Sequence, residues 1–179
     1  MKRRFTLPAA AVACLSLALG ACGRKESEPT ADSPKPQEAV TVTACALVTR
    51  DEGAAALGEA ANDPVEQVIS PGSAAMAAMS MCTVQAAASP AKTLSPSFRR
   101  SPVPDNRPDS VRQTLTESRV TAVDVPGIGD AAFWGASELH VFFAGNSYLS
   151  VGLRGLDDDV AALARASDVA RRAMERAGR

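Results

Sequence analysis

The clearest pattern of apolar and polar positions lies at the C-terminal end of the chain. Apolar and small side chains recur there at helical spacing and form one stripe: Val160, Leu163, Ala164, Ser167, Ala170, Met174 and Ala177. Asp157, Asp158 and Asp159 precede this stripe and Arg176 and Arg179 end it, an order of charges that complements the helix dipole. The pattern predicts a long terminal helix that packs across a sheet.

Upstream of this helix, apolar and polar positions alternate as they do in half-buried strands. Strands are predicted at residues 65–70, 79–87, 120–125, 131–134, 139–144 and 147–153. Gly145 and Asn146 mark the last hairpin, where two registers remain open. A two-residue loop sets Phe142 opposite Leu149. A three-residue loop sets Leu139, Val141 and Phe143 on the face of Leu149 and Val151.

Two shorter helices are also predicted. Thr49 and Glu52 have the spacing of a capping box, and Gly58 follows the apolar run as a helix stop. Another helix carries Val111 and Leu115 one turn apart and is capped by a residue near position 109 or 110.

The segment between the strands and the second helix has a different composition. Residues 89–108 contain five prolines and three arginines, and this predicts a long surface loop. The whole pattern predicts a single α+β domain over residues 40–179. We expect an antiparallel sheet of about five or six strands, with a long C-terminal helix and one or two shorter helices packed on it.

The N-terminal segment has the charge and length of an export signal. Lys2, Arg3 and Arg4 precede an apolar run over residues 7–21, which is too short to span a membrane. The run ends in Leu-Gly-Ala-Cys22, which resembles the lipobox of bacterial lipoproteins. The resemblance implies that residues 1–21 are a signal peptide, that Cys22 is lipidated, and that the protein is anchored to the cell membrane or the outer membrane outside the cytoplasm. A secreted protein cleaved near Ala21 is the alternative.

The composition after Cys22 predicts a disordered segment, and the net charge disfavours one class of partner. Residues 22–39 are polar and proline-rich, and we expect a disordered tether there. All 20 acidic residues but only 16 of the 19 Lys and Arg lie after Cys22, so the chain from that point has a net charge of −4. This charge disfavours a nucleic-acid partner.

The remaining cysteines predict a covalent link. Cys14 lies within the signal and Cys22 in the lipobox, which leaves Cys45 and Cys82 as a pair in an oxidising compartment. We expect a Cys45–Cys82 disulfide, and two independent buried thiols are the alternative. The chain contains a single histidine, His140, which disfavours a metal site.

Candidate chemistry centres on aromatic residues near His140. Five of the aromatics lie between positions 133 and 148, and Trp134, His140, Phe142 and Tyr148 form a predicted binding patch if one sheet face is uncovered. A hydrolase built on His140 with Asp130 or a serine is an alternative.

A third hypothesis is a carrier of an apolar ligand. It needs a cavity between the sheet and the terminal helix, lined by Phe142, Leu149 and Leu163. A fully packed core at that position would exclude it.

The order of motifs also resembles a known family. Cys45-Ala46-Leu47-Val48-Thr49 with Glu52 and Gly58, a second cysteine at 82 and the Gly127-Ile128-Gly129-Asp130 turn resemble a domain of unknown function in small actinobacterial cell-envelope lipoproteins, over residues 44–177. The resemblance implies an α+β fold and an envelope setting, and it supplies no catalytic residues. We therefore expect a non-enzymatic binding module without a cofactor or metal. Its partners would be the membrane, through Cys22, and an envelope protein or apolar ligand.

Overall fold

The computed structural model describes residues 43–102, 108–143 and 146–178. Within them a short 3-10 helix at Ala44–Leu47 leads into α1, and the helices and strands are α1 Arg50–Leu57, β1 Val65–Pro71, β2 Ala78–Gln85, β3 Thr93–Arg100, α2 Pro108–Glu117, β4 Val123–Asp124, β5 Ala131–Gly135, β6 Glu138–Phe143, β7 Ser147–Arg154 and α3 Asp159–Ala177. The predicted α+β domain with a long C-terminal helix is confirmed. The sheet has seven strands rather than the five or six expected.

All strand pairs are antiparallel, and their order is β1-β2-β3-β7-β6-β5-β4. The hairpin of β1 and β2 and the meander of β5, β6 and β7 therefore belong to one sheet. Strand β3 joins them, because it lies between β2 and β7 at the centre.

The prediction of a surface loop over residues 89–108 was wrong. Residues Thr93–Arg100 form the central strand β3, in which Leu94 and Phe98 are buried and Pro96 also lies inside. A proline lacks the N–H that a central strand donates, and for this reason it normally argues against such a strand. Here eight cross-strand pairs to β7 hold the strand along its length, and the sheet accommodates one missing donor.

Two element boundaries also differ from the prediction. The strand expected at 120–125 is reduced to Val123–Asp124. Helix α2 begins at Pro108, so Asp109 lies in its first turn instead of capping it. Proline suits the first helical position because its fixed φ is helical and the missing N–H has no intrahelical partner there.

The hairpin of β6 and β7 has the second of the two predicted registers. Phe143 pairs with Ser147 and Val141 with Leu149, so three residues separate the strands. Leu139, Val141, Leu149 and Val151 consequently share one face of the sheet. This register decides which side chains meet the helices.

That face, here called the covered face, packs against α1, α3 and the 3-10 helix. The sheet contributes Val84, Leu94, Phe98, Leu139, Val141, Leu149, Val151 and Leu153, and α3 contributes mainly alanines. Small helix residues let the helices approach closely. At Gly53 of α1, an added Cβ would lie 2.5 Å from Val84 Cγ1, so only glycine fits there.

An ion pair joins α1 to α3 at the border of this face. The capping box is confirmed: the Glu52 N–H donates to Thr49 Oγ1, and Glu52 Oε2 accepts from the Thr49 N–H. The same carboxylate accepts two hydrogen bonds from Arg176, at 2.6 and 2.8 Å. These bonds hold the pKa of Glu52 at about 2, well below its usual range.

The opposite face is covered only in part. Helix α2 packs on β5, where Val111 and Leu115 contact the buried rings of Phe133 and Phe142. Among the described residues, no helix lies on this face over β1, β2 and β3. No helix in the described ranges is long and apolar enough to cross a membrane.

Candidate functional site

The structure divides the predicted binding patch between the two faces. Trp134 pairs with Leu139, and its ring is buried in the covered face. His140, Phe142 and Tyr148 lie on the opposite face, since residues two apart in a strand point to the same side. Only these three come together, and the role of this patch in binding stays a prediction.

His140 and Tyr148 form a buried polar pair beneath this face. The Tyr148 hydroxyl lies 2.7 Å from His140 Nδ1, and the two rings are nearly parallel. The Phe133 ring packs 5.2 Å from the imidazole, and only 5 % of His140 is exposed. Nε2 has no hydrogen-bond partner among the described residues.

Burial shifts the pKa values of His140 and Tyr148 and so determines their protonation states. Removal from water lowers the pKa of His140, although the charge of Glu138 opposes this effect. The same burial raises the pKa of Tyr148. Both groups are therefore neutral near pH 7 and form an internal hydrogen bond.

Among the described residues, His140 lacks the acid partner that a hydrolytic site needs. A histidine base needs a nucleophile that it can reach and an acid that orients it. His140 Nδ1 is hydrogen-bonded to the Tyr148 phenol, and Ser150 of β7 lies opposite His140 on the same face. The backbone N–H of Asp130 donates to the carbonyl of Phe142. No acidic side chain among the described residues hydrogen-bonds to the imidazole, and the hydrolase stays a hypothesis.

The three residues predicted to line an apolar cavity do not lie on the same side of the sheet. Phe142 contacts α2 on one side of the sheet, whereas Leu149 and Leu163 belong to the core on the other side. These three side chains cannot line one cavity.

Two grooves occur near α2 and the turn before β5. One, of about 430 Å³, is lined by Arg112, Thr116 and Arg119 with residues 120–122. The other, of about 210 Å³, runs along the turn from Val125 to Ala132 beside Asp124. Both are shallow, and neither includes His140 or Tyr148. Their shared residue Arg112 is already engaged, because it pairs with Asp124 and lies over the Phe133 ring.

The strands that α2 leaves uncovered present small and polar side chains. This surface, here called the open face, is formed by Met79, Met81, Thr83, Ser95, Ser97, Arg99, Tyr148 and Ser150. Seven of these eight residues are half-buried, and Ser150 is buried.

The central part of the open face was not predicted from the sequence. Ser95 and Ser97 alternate with the buried Leu94 and Phe98, which is the period of a half-buried strand. The prolines around them pointed to a loop instead. Alternation across Pro96 was the signal that could have revealed this surface.

The disulfide between Cys45 and Cys82 is confirmed, with an S–S distance of 2.05 Å. It ties the 3-10 helix to β2. Glu66 lies beside it, and its carboxylate accepts hydrogen bonds from the backbone N–H groups of Ala44 and Cys45 at 3.2 and 2.6 Å. Cys45, Cys82 and Glu66 are close enough to hold a metal, but both sulfurs are already bonded to each other. This cluster is therefore a structural link.

The proposed signal peptide, the lipidated Cys22 and the tether at 22–39 lie outside the described residues. Comparison of the chain with protein-family models, with curated proteins and with solved structures finds no match.

Proposed function

We propose that this protein is a lipid-anchored protein of the cell envelope whose domain binds another envelope protein, without catalysis, through the open face. The anchor rests on the sequence alone: three cations, a short apolar run and a lipobox-like end at Cys22. The tether then allows the domain to extend away from the lipid surface.

The observation that carries the binding role is the uncovered centre of the sheet. Strands β3 and β7 are central, and a central strand usually has both faces packed or one face exposed to solvent with long charged side chains. Here that side of the two strands carries serines at its centre, with Arg99 toward one end and Arg154 at the other. The short serine side chains at the centre allow close approach of a partner to the strands.

The composition of the open face favours a protein partner. Methionine, tyrosine and arginine are enriched at protein interfaces, and Met79, Met81, Tyr148 and Arg99 surround the serines. Methionine side chains adapt their shape to a partner, and hydroxyl groups supply hydrogen bonds to its backbone.

The anchor is tested by phase separation in detergent. The full chain produced in its native host is expected in the detergent phase, whereas a Cys22→Ala variant is expected in the aqueous phase or as uncleaved precursor. A wild-type protein that stays in the aqueous phase would contradict the anchor.

The open face is tested by photo-crosslinking in the same cells. A photoreactive phenylalanine analogue replaces Ser97 in the centre of the open face and, as a matched control, the exposed Ser118 at the end of α2. We expect a discrete adduct from position 97 that position 118 does not give. Equal adducts from both positions, or none from 97, would contradict the proposal.

A further inference from the structure

Three of the chain's five methionines lie within six residues, at the turn into β2. They are Met76 in the loop between β1 and β2, and Met79 and Met81 in the strand itself, and we call them the methionine cluster. Met76 is 60 % exposed, and the other two are half-buried. None of the three belongs to either apolar core of the described residues, although methionine is more often a buried residue. The cluster therefore presents three thioether side chains at the surface.

The strand places two of these thioethers side by side. Met79 and Met81 are two residues apart in β2, so they point to the same side of the sheet and lie about 7 Å apart along the strand. Met76 precedes Met79 by three residues, which limits the separation of their Cα atoms to about 11 Å. Because a methionine side chain has three rotatable bonds, thioethers at these separations can reach a common ion.

The loop positions the backbone of Met76 and leaves its side chain uncovered. The other residues from 72 to 77 are glycine, serine and alanine. The N–H of Ser73 donates to the Met76 carbonyl at 2.9 Å, and the Ser73 hydroxyl accepts from the N–H groups of Ala75 and Met76. The loop thus holds Met76 close to the start of β2 while its thioether stays exposed.

The donor groups in this segment select a soft metal ion. From residue 67 to residue 91 the chain has no charged side chain and no histidine, and its one cysteine, Cys82, is bonded to Cys45. Carboxylate and imidazole ligands, which Ca²⁺, Mg²⁺ and Zn²⁺ prefer, are therefore missing from it. Thioether sulfur is a ligand for Cu(I), and it forms no disulfide in an oxidising compartment. The single histidine of the chain disfavours a zinc site but has no bearing on a thioether site.

Charge on the open face points to an ion with one positive charge. Arg99 of β3 lies opposite Met79, and Ser97 lies opposite Met81. Three thioethers are neutral and do not compensate the charge of the ion that they bind. The positive charge of Arg99 therefore opposes a divalent ion about twice as strongly as a monovalent one.

We propose that Met76, Met79 and Met81 bind one Cu(I) ion through their three sulfurs. Only metal–sulfur bonds form, and the ion keeps its oxidation state. The site depends neither on the lipid anchor at Cys22 nor on a protein partner of the open face, so failure of either leaves it standing.

Titration with Ag(I), a soft ion of the same charge, tests the site without a reductant that would open the disulfide. The full chain is used in detergent and chloride-free buffer, with thiols outside the disulfide alkylated. A variant with Met76→Leu, Met79→Leu and Met81→Leu removes the sulfurs at nearly constant volume, and Met174→Leu in α3 is the matched control. By calorimetry we expect one Ag(I) per chain in the wild type and in the control, and an affinity lower by about ten-fold or more in the triple variant. No binding by the wild type, or a smaller loss in the triple variant, would overturn the proposal.

Methionine methyl signals give a second readout in the wild type, which stands even if the triple variant is misfolded. With ¹³C-methyl methionine in the full chain, Ag(I) is expected to shift the signals of Met76, Met79 and Met81 together and to leave that of Met174 in place. Zn²⁺ at the same concentration is expected to shift none of them. Shifts confined to other methionines, or equal shifts with Zn²⁺, would contradict a soft-metal site at the methionine cluster.

Discussion

The two faces of the sheet are packed against different parts of the chain and to different extents. The covered face is closed by α1 and α3, by a disulfide from the 3-10 helix to β2, and by the pairing of Glu52 with Arg176. On the other face, the part of the chain that the structure describes places α2 over β5, and the remaining strands present serines and methionines. The difference predicts that most of the stability comes from the covered face.

The largest expected effect comes from breaking the disulfide on the covered face. Replacement of Cys45 and Cys82 by serine removes a link that spans 37 residues, and the loop-closure model gives a loss of about 4 kcal/mol. Chemical denaturation of the oxidised wild type and of the double variant measures this loss. A difference below about 1 kcal/mol would show that helix packing alone closes the covered face.

Neighbouring residues of β3 give the sharpest comparison of the faces. Phe98 is buried in the covered face and Ser97 lies on the open face. Phe98→Ala is expected to lower the free energy of unfolding by about 3 kcal/mol, because it leaves a cavity in the core. Ser97→Ala is expected to change it by less than about 0.5 kcal/mol. Similar losses in urea titrations of the two variants would mean that the open face is packed after all.

Removing the ion pair at the border of the covered face is expected to lower the free energy of unfolding by a smaller amount. Glu52→Gln leaves Arg176 without its carboxylate partner and is expected to cost about 2 kcal/mol at pH 7. The pKa of Glu52 is about 2 in the fold against 4.5 in the reference state. Its stabilisation is therefore complete above pH 4.5 and is lost as the pH falls toward 2. Unfolding curves across this range should show a steeper acid loss for the wild type than for Glu52→Gln.

The smallest expected effect on stability comes from protonation of His140, on the opposite face. Burial lowers the pKa of His140, so protonation favours the unfolded chain and stability decreases as the pH falls below 6.5. His140 is the single histidine, so a slope between pH 6.5 and 5 reports on it directly. Thermal unfolding of the wild type should show this slope, and His140→Gln should flatten it. An identical slope in both proteins would assign it to other groups.

Local signals predicted much of the covered face. Thr49, Glu52 and Gly58 specify the ends of α1 through groups within one turn, and the structure has all three in the expected roles. Helical periodicity also predicted α3 itself, but part of its predicted stripe was wrong, because Val160 and Ala164 are exposed. The buried stripe of the helix consists of Ala162, Ala166, Ser167, Val169, Ala170, Ala173 and Ala177. Remote partners were not predictable, because the pairing of Glu52 with Arg176 requires α1 and α3 to lie side by side.

The candidate binding surfaces were harder to predict from the sequence than the covered face. Trp134 was grouped with His140 because both are close in sequence, but the turn between β5 and β6 sends them to opposite faces. The open face was missed because its central strand contains Pro96, which local rules assign to a loop.

The sequence by itself determined the α+β class, the terminal helix, the first helix with its capping box and the pairing of two cysteines, because each follows from periodicity, local hydrogen bonding or elimination. Only the tertiary structure decided the seven-stranded order, the central place of β3 and the separation of a covered from an open face. The physical reason is that a strand's neighbours are selected by packing and hydrogen bonding over the whole sheet. Pro96 is tolerated because β3 pairs with β7 along its whole length, whereas its pairing with β2 is interrupted at Ser95 and Pro96.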